Sequence, residues 1–159
     1  MEITTAISSD IPQLCLLLDQ LFAQEAEFKP NHEAQSRGLA AIIDNAETGD
    51  IIVAHEAGQI IGMINLLYTV STALGSRVAI LEDMVISSHY RSHGVGSKLL
   101  DYALNFAREQ GCQRVTLLTD QDNIGAHRFY ERHGFEQSTM VPFRWTPTEQ
   151  HLQPLQKTC

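Results

Sequence analysis

The run Val78-Ala-Ile-Leu-Glu-Asp-Met-Val-Ile86 leads through a short connection into Arg91-Ser-His-Gly-Val-Gly-Ser97, and Lys98, Leu99 and Leu100 follow at once. The first run is β-branched and aliphatic, the composition of a strand. Beyond the glycines, Leu99, Leu100, Ala103, Leu104 and Ala107 recur at helical spacing, and Gly111 supplies a C-cap. A strand, a Gly-rich loop and a helix in that order place the chain in the α/β class. Gly94 and Gly96 leave no side chain in the way, so consecutive N–H groups can turn toward one anion, and the helix dipole adds to the attraction.

Spacing narrows the kind of anion. A Walker loop requires Gly, four residues and Gly-Lys-Ser/Thr; a dinucleotide fingerprint requires G-x-G-x-x-G. The pattern here is Arg91-x-x-Gly94-x-Gly96, which is neither.

The remaining elements follow from periodicity and punctuation. Glu2 to Ile7 reads as a first strand, and Ser8-Ser-Asp-Ile-Pro12 as a helix start. Leu14, Leu17, Leu18, Leu21 and Phe22 then form one buried stripe. A weaker helix runs from His32 to Asn45, with Gly49 ending it. Asp50 to His55 and Ile60 to Tyr68 are strands around the hairpin signal Glu56-Ala-Gly-Gln59. Thr69 to Ser76 reads as a loop, Arg114 to Thr119 as a strand parallel to the Val78 strand, and Ser138 to Trp145 as a last strand interrupted by Pro142. One domain, residues 1–146, and a tail, 147–159, result.

Asn123, Ala126, Phe129, Tyr130, Gly134 and Phe135 carry a second motif, N-x-x-A-x-x-F-Y-x-x-x-G-F, one strand beyond the glycine loop. The two motifs, in this order and separation, resemble those of the GNAT superfamily of N-acetyltransferases. The resemblance covers roughly Val53 to Phe135. Leu81 to Ser97 is also similar to the corresponding segment of spermidine/spermine-type diamine acetyltransferases, Leu81-Glu-Asp being the telling part. The implied fold is a mixed, mostly antiparallel central sheet with one splayed parallel pair, flanked by about four helices. The implied cosubstrate is acetyl-CoA, with no metal, and a homodimer is common in the family.

The resemblance also implies residue roles. Pantetheine would pair with the strand end at Met84, Val85 and Ile86, and the pyrophosphate would take N–H groups of Arg91, Ser92, His93, Gly94, Val95, Gly96 and Ser97. Asn123 would touch CoA or cap its helix. The Met84 N–H would polarise the thioester carbonyl, and the Tyr130 phenol would serve the departing sulfur as acid. Glu82 alternates with Met84 and Ile86, so the three share one side of a regular strand, which makes Glu82 the expected base. Asp83, turned to the other face, comes second. Lys98, Arg128 and Arg132 supply positive charge or merely solvate helix surface.

Composition removes other classes. Cys15, Cys112 and Cys159 form no C-x-x-C pair, which argues against disulfides and a zinc ribbon; Cys15 and Cys112 read as buried small hydrophobes, and a cytoplasmic protein is expected. His89 and His93 fall in the loop, and His127 and His133 lie on different helical faces, a poor metal set. A net charge of −8 opposes nucleic-acid binding and suits a cationic small-molecule amine. No apolar run reaches the roughly 20 residues a membrane span needs, so no membrane partner is expected. Asp19, Glu25 and Glu27 are candidate acceptor-side acids, and Tyr68, Phe143 and Trp145 a candidate aromatic wall. Two further functions stay open: a silent acyl-CoA-binding regulatory module, and acetylation of a protein or peptide amine.

Overall fold

A computed structural model describes residues 1–25 and 29–148. Glu27, and residues 149–159 of the expected tail, lie outside the described residues. The element order is β1 (Glu2–Thr5), a 3-10 turn (Ser8–Asp10), α1 (Ile11–Phe22), α2 (His32–Ile43), β2 (Gly49–Glu56), β3 (Gln59–Ser71), β4 (Ser76–Ile86), α3 (Val95–Glu109), β5 (Val115–Leu117) and α4 (Ile124–Arg132). The five strands form one sheet in chain order. Pairing is antiparallel from β1 to β4 and parallel between β4 and β5, with α3 as the crossover.

Alternation along the strands divides the core in two. Ile52, Ile64, Leu66 and Leu81 meet Leu99, Leu100 and Ala103 of α3 on one face. Val53, Met63 and Val85 meet Leu14, Leu17 and Leu18 of α1 and Leu39 of α2 on the other. The stripe expected on the first helix is therefore the one that α1 buries. The α2 start is held by Asn31, whose Oδ1 accepts from Ala34 N–H while its own N–H donates to Gln35 Oε1. Cys15 and Cys112 are free and buried. No helix among the described residues is long and apolar enough to cross a membrane.

Three local expectations are corrected. The second helix stops at Ile43, and Gly49 does not end it but opens β2 opposite Leu67. A Cβ on Gly49 would lie 2.2 Å from the Leu66 carbonyl oxygen, so the glycine answers to a close strand approach. The loop expected over Thr69 to Ser76 is half strand: β3 runs on to Ser71 and β4 begins at Ser76, leaving a four-residue turn. Ser138 to Trp145 forms no strand. Pro142 offers no N–H to a ladder, and β5, the neighbouring edge, has three paired residues.

Candidate active site

The site grows out of a register break between β3 and β4. Met63 pairs with Val85 but Asn65 pairs with Glu82, so Asp83 and Met84 together oppose Ile64. This is a β-bulge on β4, and it places Asp83 at φ 53, in the left-handed region. One extra residue reverses the alternation beyond it. Ala79 and Leu81 face α3 before the bulge, and Met84 and Ile86 face it afterwards, while Val85 joins the α1/α2 core.

Glu82 therefore does not share a face with Met84 and Ile86. It stands across the ladder from Asn65, exposed, on the α1/α2 side. Asp83 is not turned away from Glu82 either: its Oδ2 accepts from Asn65 Nδ2 at 2.7 Å. The break gathers both carboxylates on one side of the sheet and sends the Met84 side chain to the other. Burial, and then the neighbouring Glu82 charge, push the Asp83 carboxyl above its ordinary value, against the Asn65 hydrogen bond that draws it down.

The residues expected to hold the cosubstrate lie toward the α3 side. β5 pairs with β4 only from Ala79 to Leu81, so Glu82 to Ile86, held by β3 on one side, have no strand beside them on the β5 side. Arg91 folds back and donates from Nε to the Ile86 carbonyl at 3.0 Å. Ser92 has φ 64 and Gly94 φ 78, and Gly94 is the N-cap of α3 with no side chain bonded to the helix start. Left-handed residues on either side of His93, ahead of a helix start that no side chain caps, turn N–H groups toward one concave surface. A Cβ on Gly96 would find Met84 Cε at 3.5 Å, Ile86 Cγ1 at 3.7 Å and Phe129 Cζ at 3.7 Å, ordinary contacts that packing would tolerate. Its bareness fits a surface kept open for a phosphate. His93 Nδ1 is bonded to the Arg91 carbonyl at 2.7 Å, and His89, His93 and Lys98 line an open hollow of about 360 Å³ beside the loop. Val95 is buried at the helix start.

α4 completes this side. Asn123 caps it, its Oδ1 accepting from Ala126 N–H at 3.1 Å. Tyr130 packs edge-on to Phe129 and Phe135 and sends its hydroxyl to Met84 Sδ at 3.6 Å. Burial raises its pKa, so the phenol keeps its proton throughout the neutral range. His133 bridges the two helices, Nδ1 to Asp101 Oδ1 at 2.8 Å and Nε2 to Ser97 Oγ at 3.2 Å. Arg128 and Arg132 are exposed.

Two of the other acceptor-side candidates, Asp19 and Tyr68, have partners of their own. Asp19 is engaged by His32 and Gln35 of α2. Tyr68 donates to Asp50 at 2.6 Å beneath the Arg77 guanidinium, and Phe143 is 96% exposed. Among the described residues no group of three or more His, Cys, Asp and Glu side chains could hold a metal ion. Sequence reasoning missed Asn65, whose only signal is a lone amide inside the apolar run Ile60 to Leu67.

A helix start shaped for an anion, a strand that outruns its parallel neighbour, and a tyrosine held against that strand from a second helix define an acyltransferase scaffold. Residues 16–135 match the model of the Acetyltransferase (GNAT) family, and the chain belongs to that family. It is an N-acetyltransferase, and the family implies acetyl-CoA as its cosubstrate. The uncharacterized N-acetyltransferase YhfO of Bacillus subtilis is 33% identical over 87% of this chain and 92% of its own length. An aminoalkylphosphonate N-acetyltransferase of Salmonella typhimurium is 28% identical over 91% and 89%. Among solved structures, a putative acetyltransferase from Agrobacterium tumefaciens superposes with a TM-score of 0.77 at 27% identity, covering 92% of this chain and all of that one. A possible acetyltransferase from Clostridium difficile reaches 0.84 at 16% identity, over 92% and 97%, a likeness of fold.

Proposed function

We propose that this enzyme acetylates the primary amine of a small molecule by direct attack within a ternary complex, the acceptor approaching from the α1/α2 side of the β4 bulge. The carrying observation is the register break, which sets Glu82 and Asp83 on one side of β4 and Met84, with Tyr130, on the other.

Acetyl-CoA, when bound, supplies a thioester-activated acetyl group. The residues that would hold it are Met84, Val85 and Ile86 on the β4 edge that β5 leaves free, the N–H groups from Arg91 to Ser97, and the α4 start at Asn123. An ammonium is not a nucleophile, so a carboxylate must first take its proton. Asp83 suits that step better than Glu82, because burial lifts its pKa toward the working range and a fixed partner holds it. Exposed Glu82 then serves the positive charge of the acceptor, as does the net charge of −8. The Met84 N–H is positioned for the carbonyl oxygen, a role that needs no side chain. Tyr130 keeps the proton that a departing thiolate requires.

The test is free-thiol release from acetyl-CoA with polyamines, aminoalkylphosphonates, aminoglycosides, amino acids and peptides as acceptors. Turnover of a small amine is expected. Acetyl-CoA binding with no turnover on any acceptor would instead assign a silent binding module.

A further inference from the structure

Asn65 lies in the middle of β3 at 2% exposure, between Ile64 and Leu66 of the α3-side core. One end of its amide is used, Nδ2 donating to Asp83 Oδ2 at 2.7 Å; the other, Oδ1, is buried without a hydrogen-bond partner. Such a half-satisfied amide is a poor way to hold a sheet together, because an apolar side chain of the same shape would bury no unpaired carbonyl oxygen on β3. Its value lies at the end that is bonded. Asp83 is the extra residue of the bulge, at φ 53, a conformation that a non-glycine residue keeps only when its surroundings fix it. Asn65 faces Glu82 across the ladder, and its amide reaches past Glu82 to that extra residue.

The groups around the carboxylate divide clearly. Burial and the Glu82 charge on the same strand work against its ionisation, and the Asn65 amide from β3 works for it. α1, which packs against β4, carries Asp19, already engaged by His32 and Gln35 of α2.

We propose that Asn65 is a positioning residue, whose Nδ2–H keeps the Asp83 carboxylate ionised and seated in the bulge, ready to receive the proton of the acceptor ammonium. The N–H bond of the ammonium breaks, an O–H bond forms on Asp83, and the amine is left neutral with its lone pair free. This rests on the reading of Asp83 as proton acceptor, so the experiment separates the two.

Asn65→Leu keeps the shape of the side chain and removes the donor. In protein labelled with 13C at aspartate carboxyls, with Asp83 assigned by the resonance missing from Asp83→Asn, the Asp83 midpoint is expected to move upward by about one pH unit in Asn65→Leu. No acceptor is needed for that measurement. Where Asn65→Leu does not fold, Asn65→Thr carries the same comparison, because its β-branched side chain suits a strand and is too short to reach Asp83. An unmoved midpoint overturns the inference, since a merely structural Asn65 would alter thermal stability and leave the titration alone. A moved midpoint together with wild-type turnover in Asp83→Asn overturns the proton-acceptor reading instead, and with it the role given to Asn65.

Discussion

The Tyr130 hydroxyl reaches Met84 Sδ across 3.6 Å, joining the last turns of α4 to the residue that follows the β4 bulge. The ring is fixed on both sides, its centroid 5.3 Å from Phe129 and 5.6 Å from Phe135, so the phenol has a defined direction. Replacing it by phenylalanine keeps this packing and removes only the hydroxyl, the group that carries the proton. Tyr130→Phe is expected to lower turnover by about 10²-fold, the lower range for a lost general acid, with acetyl-CoA affinity nearly unchanged. Thiol-release kinetics beside calorimetric binding would check this, and a loss confined to binding would assign Tyr130 to packing.

Asp83 makes stability depend on pH in a direction opposite to that of a salt-bridged carboxylate. Its folded pKa is raised above the ordinary 3.8, mainly by burial. Between the unfolded and folded values the native state therefore binds more protons than the unfolded chain, and stability falls as pH rises through that window. Asp83→Asn removes the titration. At neutral pH the variant should melt above the wild type, and the gap should close as pH drops toward 4. Melting curves from pH 4 to 8 decide the matter: a gap that widens on acidification would mean that the Asn65 bond outweighs burial.

His133 ties the first turns of α3 to α4 through Ser97 and Asp101. The Asp101 side chain is 64% exposed, so solvent screens that contact and its share is at most about 1 kcal/mol. His133→Ala should lower the melting temperature by about 2–4 °C. It should also weaken acetyl-CoA binding, because Ser97 lies in the first turn of α3, where the N–H donors are. Equal losses in Ser97→Ala and in the double variant would place the effect in one shared network.

Much of this arrangement is visible in the sequence. The stripe of α1, the α3 pattern with Gly111 beyond it, and the hairpin between β2 and β3 are each set by neighbours in the chain. So are the two motifs that frame the residues expected to hold the cosubstrate. The bulge is not, because it depends on counting β3 against β4 across a ladder: a perfect alternation of Glu82, Met84 and Ile86 is the correct reading of one strand taken alone. Asp83 and Asn65 are 18 residues apart and His133 and Ser97 are 36 apart, and only the assembled sheet and crossover bring them together. The expected strand over Ser138 to Trp145 failed for a related reason, since its apolar residues say nothing of which edge is free to receive them.

The two loop glycines should respond differently to the same small change. Gly94 has φ 78 and nothing within 4 Å of an added Cβ, so alanine there meets open space but a strained backbone. The cost is about 1 kcal/mol, worth roughly 2–4 °C in a domain of this size. Gly96 lies inside α3 without left-handed geometry, and alanine is the better helix former by up to about 1 kcal/mol. Gly94→Ala should therefore lose thermal stability and acetyl-CoA affinity together, as the loop leaves its conformation. Gly96→Ala should hold or gain stability, so that any loss of acetyl-CoA affinity in it reports the filled cradle alone. Thermal melting paired with calorimetric titration of acetyl-CoA separates the two, and a matched fall in stability at both positions would show that packing, rather than an open anion surface, selects glycine at Gly96.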